Sequence, residues 1–406
     1  MRRRDALEVR VRGRLRALEE ARLLRTLRAP EGIDLSSNDY LGLARHPVLL
    51  ERMVDAIGRD GCGSTGSRLL RGERESFSAL ERRFAAFKGT ERSLYFSSGY
   101  LANLAVLTTF PEDGDVVLSD ALNHASLIDG VRLSSAHREI FPHADTAALA
   151  GLIDRYSGQR RIGYSRTGQG GTDEGRTGGG QIFVVTESLF SMDGDEAPLR
   201  AYAELCRASG ARLIVDEAHA VGVYGRRGSG LIEECGIGDD VFVSINTAGK
   251  ALGVSGALVA GPSWAIEYLV QRARPFVFST AATPAVAPAL EASLEIVEGE
   301  PERRELLFLR ARQLRARLAE LGIPVAPGRS QIIPILIGDN ERALSIAEML
   351  QAQGFDVRAI RPPTVPDGTA RLRISVNVGL SDDTIQRFAM ALAAAMVPAP
   401  CSAASL

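Results

Sequence analysis

The chain has 406 residues, of which 45% are hydrophobic and 24% are charged, and its formal net charge is −2. These values are ordinary for a globular protein of two or three domains, and they give no electrostatic reason to expect nucleic acid or an anionic membrane as a partner. No apolar run reaches the length of a membrane span, and the N-terminus lacks the apolar core of a signal peptide. The four cysteines are scattered without metal-ligand spacing, which favours reduced thiols in a cytoplasmic protein and argues against a metal site.

The first two-thirds of the chain predict a layered α/β domain. Residues up to about Arg28 mix arginine with Leu, Glu and Ala at helical spacing, which predicts an amphipathic helix with a solvated basic face. A strand and a turn follow over residues 33–42. From there to about Pro284, apolar strand-like runs alternate with helical ones, as in α/β domains. The predicted strands are 93–96, 116–118, 182–185, 213–215 and 241–245.

An internal segment and the C-terminal part have a different character. Residues 158–180 are rich in glycine and polar residues, which predicts a flexible surface insertion. After Pro284 a long helical pattern over 285–321 leads into a smaller α+β region, where the prolines of 361–366 fix an extended loop. Its two predicted strands are 332–337 and 372–376. The domains we expect are an N-terminal helix and arm (1–45), a large domain (46–284) and a small α+β domain (285–406).

Two short motifs indicate where the chemistry lies. Asp216-Glu-Ala-His219 closes a buried apolar run, and Thr247-Ala-Gly-Lys250 follows the next one. Ligands of open α/β sheets bind outside the carboxyl ends of the strands, so both motifs are expected at one crevice. An acid, a histidine and a lysine there suit pyridoxal phosphate (PLP), because the lysine can form a Schiff base while the acid pairs with the pyridinium nitrogen and makes the ring an electron sink.

Two nucleotide-binding motifs are excluded by their context. The acidic motif also occurs in one class of helicases, but the phosphate loop GxxxxGK[ST] is missing, because Ser244 and Ala251 stand at the required glycine and hydroxyl positions around Lys250. Gly61-Cys-Gly63-Ser-Thr-Gly66 matches the dinucleotide pattern GxGxxG, but it follows a helical pattern instead of a strand. We expect a loop at this position.

Eight blocks of the sequence, in family order, resemble the α-oxoamine synthases, a family of fold-type I PLP enzymes. The blocks are Ser37-Asn-Asp-Tyr-Leu-Gly42, Gly63-Ser-Thr-Gly-Ser-Arg68, Ser98-Gly-Tyr-Leu-Ala-Asn103, Asn123-His-Ala-Ser-Leu127, Glu187-Ser-Leu-Phe-Ser-Met-Asp-Gly194, Asp216-Glu-Ala-His219, Thr247-Ala-Gly-Lys250 and Gly368-Thr-Ala-Arg-Leu-Arg373. The resemblance implies an α/β fold of the fold-type I PLP-dependent transferases. In that fold a large domain has a mainly parallel seven-stranded sheet and a smaller C-terminal domain is α+β. It also implies a homodimer.

The resemblance implies a role for each residue around the cofactor. Lys250 carries PLP and later removes the Cα proton of the substrate, while Asp216 keeps the ring nitrogen protonated. His219 hydrogen-bonds the phenolic oxygen, with Ser191 nearby. His124 stacks on the face of the ring.

The same resemblance implies contacts to the phosphate and to the substrate. Gly99 and Tyr100 should open a helix whose N–H groups meet the phosphate. Thr247 adds a hydroxyl, and Thr280 reaches the phosphate of the neighbouring subunit. Arg373 binds the substrate carboxylate as a bidentate pair. The other implied substrate contacts are Asn38, Thr364 and Arg28, the last of which could equally be Arg25.

The implied reaction is a decarboxylative condensation of an amino acid with an acyl thioester. The run Arg361-Pro-Pro-Thr-Val-Pro366 is similar to that of the family members of biotin synthesis, which join L-alanine to a pimeloyl thioester. Both pimeloyl-CoA and pimeloyl-acyl carrier protein remain open as donors. The alternatives are a member that uses glycine or L-serine, such as a glycine C-acetyltransferase or a serine palmitoyltransferase, and a non-catalytic subunit of the same fold. The presence of Lys250 argues against the last alternative.

Overall fold

The computed structural model describes residues 5–160 and 180–397, so most of the predicted insertion at 158–180 lies outside the described residues. The helices are α1 (Ala6–Glu20), α2 (Pro47–Asp60), α3 (Glu75–Lys88), α4 (Gly99–Thr109), α5 (Ala125–Leu133), α6 (Thr146–Arg160), α7 (Leu199–Ser209), α8 (Leu231–Cys235), α9 (Ser263–Arg272), α10 (Arg274–Val277), α11 (Val286–Gly299), α12 (Pro301–Glu320), α13 (Asn340–Ala352) and α14 (Asp382–Met396). The strands are β1 (Ile33–Asp34), β2 (Arg92–Phe96), β3 (Val116–Asp120), β4 (His137–Phe141), β5 (Ile182–Glu187), β6 (Arg212–Asp216), β7 (Val241–Thr247), β8 (Ala257–Gly261), β9 (Ile332–Gly338), β10 (Phe355–Asp356), β11 (Ala359–Ile360) and β12 (Ala370–Ser375).

Two compact units make up the chain. The larger unit consists of Asp39–Ser191 and Asp195–Glu305, and the smaller one of Met1–Asn38, Met192–Gly194 and Leu306–Leu406. These limits differ from those of the predicted domains at residues 45 and 284. The difference at 284 arises because α11 packs against α2 and α3 within the larger unit.

The larger unit is built on a seven-stranded sheet with the order β2-β8-β7-β6-β5-β3-β4. All neighbouring strands are parallel except β8, which is antiparallel to both β2 and β7. Helices cover a mainly parallel sheet on its faces, which explains why β5 and most of β6 and β7 are buried apolar runs. The α/β fold and the mainly parallel seven-stranded sheet predicted from the sequence are confirmed.

The core of the larger unit lies between this sheet and the helices α4, α5, α9 and α10. Phe96, Val185 and Ile245 of the strands are buried in one apolar cluster with Val106 of α4 and Ile266 of α9. The packed core fixes the positions of the strand ends. It therefore supports the loops that leave the carboxyl edge of the sheet.

The smaller unit contains two further sheets. β11, β12 and β9 form an antiparallel sheet in that order, and β1 pairs in parallel with β10. Helix α13 packs on strands of this unit and on α14. Over the described part of the chain, no helix is both long enough and apolar enough to cross a membrane.

Two predicted helices end differently in the structure. The N-terminal helix stops at Glu20 instead of Arg28, because Arg22 takes a left-handed conformation (φ 57°) and the N–H of Leu23 returns to the carbonyl of Leu18, which is a Schellman-type ending. The predicted helix over 285–321 is two helices, α11 and α12. Pro301 begins the second, and a residue before proline is pushed out of the helical region.

Candidate active site

The ends of two neighbouring strands bring two acidic residues together. Glu187 ends β5, Asp216 ends β6, and the two are direct partners in the parallel register. Both side chains are buried. The carboxylate of Asp216 accepts a hydrogen bond from the Ala218 N–H (2.8 Å) and another from Asn103 Nδ2 (2.8 Å). Asp216 is thereby held in one orientation at the carboxyl edge of the sheet.

Glu187 is a second, different carboxyl group at this edge. Its burial, reinforced by the neighbouring negative charge of Asp216, raises its pKa to about 8, although Lys250 and the N–H groups of His124 and Ser191 oppose the shift. Its Oε1 has no hydrogen-bond partner among the described residues. At neutral pH Glu187 therefore holds a proton, so the buried pair carries less negative charge than two carboxylates would.

Lys250 lies in the loop that follows β7. The loop turns tightly, since the Ala248 N–H bonds to the Gly256 carbonyl (2.8 Å) and the Gly253 N–H to the Lys250 carbonyl (2.8 Å). Lys250 Nζ lies 2.8 Å from His219 Nε2. The structure thus joins the two motifs that the sequence predicts at one crevice.

His219 has a second partner on the other side of its ring. The hydroxyl of Tyr40 lies 2.7 Å from Nδ1 of His219, and both residues are buried. A hydrogen bond at each ring nitrogen fixes the plane of the imidazole. Tyr40 is therefore part of the site, although the sequence did not single it out.

His124 caps the N-terminus of α5. Its Nδ1 lies 2.7 Å from Ser126 Oγ and accepts the N–H of Ser126 at 3.3 Å. His124 is an exposed residue, as one that stacks on a ligand would be. Partial burial lowers the pKa of His124; the charge of Asp216 opposes the shift and that of Lys250 adds to it.

The start of α4 lies close to Thr247 at the end of β7. Gly99 begins α4, as predicted, and the Ser98 side chain caps the helix by accepting the N–H of Leu101. A Cβ at position 99 would lie 2.5 Å from Thr247 Oγ1, so only glycine lets the start of α4 come this close to the Thr247 hydroxyl. The Thr247 hydroxyl therefore lies beside the N-terminus of α4, at the positive end of a helix dipole.

Ser191 lies in a turn that His143 holds. His143 Nε2 lies 2.7 Å from Asp195 Oδ2, and its Nδ1 lies 2.9 Å from Asp120 Oδ1. Its ring also packs edge-on against Phe190, with centroids 4.4 Å apart. These contacts fasten the turn to the end of β3.

The predicted substrate residues Asn38, Thr364 and Arg373 belong to the smaller unit. Arg373 is buried on β12 and donates to Ser375 Oγ (2.7 Å), while Arg371 on the same strand is ion-paired with Asp193. Arg25 Nη2 lies 3.1 Å from Thr364 Oγ1. Of the two candidate arginines near residue 28, the structure thus brings Arg25 to a predicted substrate residue.

Arg28 lies in the smaller unit and Thr280 in the larger one. Arg28 is exposed and makes no hydrogen bond or ion pair within the described residues. Thr280 follows α10 in the larger unit, and its contact with a neighbouring subunit stays a prediction. The glycine pattern at 61–66 follows α2 and precedes a short π-helical turn, Arg68–Gly72, which confirms a loop in place of a dinucleotide-binding turn.

Known proteins are similar in sequence to this chain over nearly its whole length. The family model for aminotransferase class I and II matches residues 30–392. The 8-amino-7-oxononanoate synthase of Anaeromyxobacter dehalogenans is 46% identical over 368 residues, which cover 91% of this chain and 87% of that protein. The chain belongs to the aminotransferase class I and II family.

Solved structures of this family have the same fold. A serine palmitoyltransferase from S. paucimobilis, with a bound PLP–myriocin aldimine, has a TM-score of 0.84 and 26% identity, covering 97% of this chain and 98% of its own. The 8-amino-7-oxononanoate synthase of Francisella tularensis has a TM-score of 0.73 and 28% identity, covering 89% of this chain and 97% of its own. The resemblance to the α-oxoamine synthases and the fold-type I transferase fold, both expected from the sequence, are confirmed.

Four residues of the site were not singled out in the sequence, although each lies in a block that matches the family. They are Tyr40, Asn103, Ser126 and Glu187. Each acts through a hydrogen bond or a charge on a residue from a distant part of the chain. Their position inside matching blocks was the available signal, and the contacts themselves required the fold. No cluster of His, Cys, Asp or Glu among the described residues could hold a metal ion.

Proposed function

We propose that this chain is a PLP-dependent acyltransferase that condenses L-alanine with a pimeloyl thioester. The products are 8-amino-7-oxononanoate, CO2 and the free thiol, as needed for biotin synthesis. The observation that carries the proposal is the contact of Lys250 Nζ with His219 Nε2, three residues after Asp216, in a chain 46% identical to an 8-amino-7-oxononanoate synthase.

The residues present fit PLP at three chemically different points. The close approach of Gly99 to the Thr247 hydroxyl, which a Cβ would prevent, lies at a helix N-terminus and suits the phosphate. The oriented carboxylate of Asp216 suits a protonated ring nitrogen. Lys250 supplies the amine and His219 a ring nitrogen for the phenolic oxygen.

Each residue of the site would have its own role in the reaction. PLP, when bound, supplies an electron sink for the substrate Cα. Asp216 maintains the positive charge on the ring nitrogen, while His219 and Ser191 orient the phenolic oxygen. Lys250 Nζ takes the Cα proton of the amino acid, and the protein returns a proton after the thiol and CO2 have left. Holding both substrates in line accounts for much of the rate enhancement in such reactions.

The choice of L-alanine over other amino acids rests on the relatives. The relatives named 8-amino-7-oxononanoate synthase reach 46% identity, whereas the serine palmitoyltransferases that share the fold are 26% to 28% identical. Serine palmitoyl transfer is therefore the second candidate. Arg373 is proposed to bind the amino-acid carboxylate in both cases.

The experiment that tests the proposal is a titration of the visible spectrum of the purified, PLP-loaded protein with L-alanine, glycine and L-serine. Pimeloyl-CoA or pimeloyl-acyl carrier protein is then added and the product is identified by mass spectrometry. We expect the spectrum of the bound cofactor to respond to L-alanine at a lower concentration than to glycine or L-serine. We also expect 8-amino-7-oxononanoate to form. The K250A variant is the control. Preference for L-serine with a palmitoyl thioester would move the chain to the second candidate, and no chromophore after addition of PLP would refute both.

We also propose that the protein acts as a cytoplasmic homodimer, in which Thr280 reaches the phosphate of the other subunit. Large apolar side chains of the larger unit support a partner surface, since Leu70 is 81% exposed and Phe278 is 73% exposed. Light scattering of the wild type at micromolar concentration tests the mass. A monomer that is fully active at every concentration would refute the dimer.

A further inference from the structure

A chain of hydrogen bonds runs from Asp216 to His124 through two residues that have no assigned role. Asn103 Nδ2 lies 2.8 Å from Asp216 Oδ2 and 2.8 Å from Ser126 Oγ. Ser126 Oγ in turn lies 2.7 Å from His124 Nδ1. Asn103 and Ser126 are buried, at 2% and 0% exposure. The chain therefore links the two groups predicted at the nitrogen and on the face of the cofactor ring.

The donor and the acceptor of every bond in this chain of hydrogen bonds follow from Asp216. An ionised carboxylate only accepts, so Asn103 must turn its NH2 group toward it, and that nitrogen has one more hydrogen for Ser126. Ser126 Oγ therefore accepts from Asn103. The hydroxyl proton of Ser126 then has one acceptor left among its described neighbours, which is Nδ1 of His124.

A second contact also requires Nδ1 of His124 to be an acceptor. The backbone N–H of Ser126 points to the same Nδ1 at 3.3 Å, as part of the cap of α5. A proton on Nδ1 would oppose two donors at once, and a positive ring would sit at the positive end of a helix dipole. Nδ1 is consequently unprotonated in this arrangement.

We propose that Asn103 and Ser126 are positioning residues that fix His124 as the neutral tautomer with its proton on Nε2. His124 then offers the site a hydrogen-bond donor and does not accept the substrate proton, a role left to Lys250. The tautomer follows from the protein alone, whereas its use in catalysis rests on the proposed function.

The charges around His124 agree with a neutral ring. Burial lowers its pKa, and the nearby groups are Asp216 and Asp129, which favour the charged ring, and Lys250, which opposes it. Glu187 beneath the same edge is protonated at neutral pH because burial raises its pKa to about 8. Glu187 therefore adds no negative charge to that of Asp216 and Asp129 at neutral pH.

The tautomer can be read directly by NMR of protein labelled with 15N in its histidines. The chain has five histidines, and an H124N variant assigns the signal of His124. We expect an unprotonated Nδ1 and a protonated Nε2 in the wild type without cofactor, unchanged between pH 6 and pH 8. A proton on Nδ1, or a charged ring in this range, would overturn the proposal without any need for a variant.

Substitution of the two positioning residues provides the second measurement. S126A removes the hydroxyl donor, and N103A releases Ser126 from its fixed direction; we expect the ratio of the two His124 tautomers to shift by about tenfold, the effect of one hydrogen bond. S134A is the matched control, because Ser134 follows the same helix and, among the residues that the structure describes, its Oγ bonds to the Val131 carbonyl alone. An unshifted ratio in both S126A and N103A refutes the positioning role. If the tautomer is as expected but no condensation occurs, the proposed function fails and this inference stands.

Discussion

The hydroxyl of Tyr40 lies 2.7 Å from Nδ1 of His219, so this ring is held at one nitrogen by Tyr40 and at the other by Lys250. The contact joins the first of the eight matching blocks to the acidic motif, since the two residues are 179 positions apart. Tyr40 thus orients the residue expected to meet the phenolic oxygen of the cofactor.

We predict that Y40F lowers kcat/KM about tenfold, or about 1.4 kcal/mol, because His219 loses the bond that fixes its ring. The phenyl ring is retained, so packing changes little. Steady-state kinetics and the apparent Kd for PLP measure the effect. Y202F is the control: Tyr202 is fully buried in the same unit, but its hydroxyl has no hydrogen-bond partner among the described residues, so its loss should leave both values unchanged.

A buried ion pair includes Glu217, the second residue of the acidic motif. Lys88 Nζ lies 2.5 Å from Glu217 Oε2, and the side chains are 2% and 0% exposed. We predict that K88M lowers the free energy of unfolding by about 3–5 kcal/mol, because it leaves a buried charge without its partner. K88M/E217Q should recover much of this loss, since Gln can still accept the Ile232 N–H that now bonds to Glu217 (3.0 Å).

Urea unfolding followed by the fluorescence of Trp264 measures this prediction. Trp264 is the only tryptophan and stacks on Phe242 in the larger unit, with centroids 5.4 Å apart. R82M is the control on the same helix, because the Arg82–Glu75 pair is exposed (67% and 85%) and should contribute less than about 1 kcal/mol. A double variant less stable than K88M would contradict the account.

The sequence located the strands that carry the site because they are buried on both faces. β5, β6 and β7 appear as continuous apolar runs, and their ends carry Asp216 and the approach to Lys250. β4 escaped notice because it is an edge strand, with only Phe141 buried. β8 escaped notice because it is a short run that follows closely on β7 and contains small residues.

The supporting contacts could not be predicted from the sequence. Asn103 and Ser126 belong to different helices, and nothing in their spacing from Asp216 indicates a shared hydrogen-bond chain. The raised pKa of Glu187 requires the register that sets it opposite Asp216. A role carried by one residue in a motif could be proposed from the sequence, whereas contacts between distant elements needed the coordinates.

Substitutions of Arg25 and Arg28 should affect substrate binding differently. Arg25 contacts Thr364 Oγ1, whereas Arg28 contacts no polar group in the described structure. We predict that R25A raises KM for the pimeloyl thioester about tenfold, the loss of one hydrogen bond from a charged donor, and that R28A changes it less than twofold. T364V should act like R25A. A larger effect of R28A than of R25A would favour Arg28, the other arginine that the sequence leaves open.

His143 should stabilise the protein most in acid. Its hydrogen bonds to Asp120 and Asp195 raise its pKa from 6.5 to about 10. A raised histidine pKa adds stability that is complete below pH 6.5 and disappears as the pH rises through 10. Since the side chain is 24% exposed, screening reduces the contribution, and we predict that H143N costs roughly 2 kcal/mol at pH 6 and much less at pH 10.

Unfolding of wild type and H143N at both pH values measures this difference. H137N is the matched control, because His137 is 51% exposed and its contact with Glu139 is long, at 3.4 Å. The turn that carries Ser191 should also loosen in H143N, which hydrogen exchange of the Phe190 amide reports. A cost that grows from pH 6 to pH 10 would contradict the sign of the effect.

The contribution of Glu187 to stability should fall as the pH rises, which is the opposite of the usual behaviour of an acidic residue. Burial and the charge of Asp216 raise its pKa from 4.5 to about 8. The folded protein then keeps a proton that the unfolded chain gives up, so the contribution of Glu187 to stability is complete below pH 4.5 and is lost as the pH rises through 8. E187Q keeps a neutral side chain at every pH. We therefore predict that the stability of E187Q relative to wild type, both without cofactor, increases by about 1.4 kcal/mol per pH unit across this window.

Infrared spectroscopy gives an independent test, because the protonated carboxyl should show a carbonyl band at pH 6 that disappears above pH 9 and is missing from E187Q. A stability difference that stays flat with pH, with no such band, would mean that Glu187 is ionised beside Asp216.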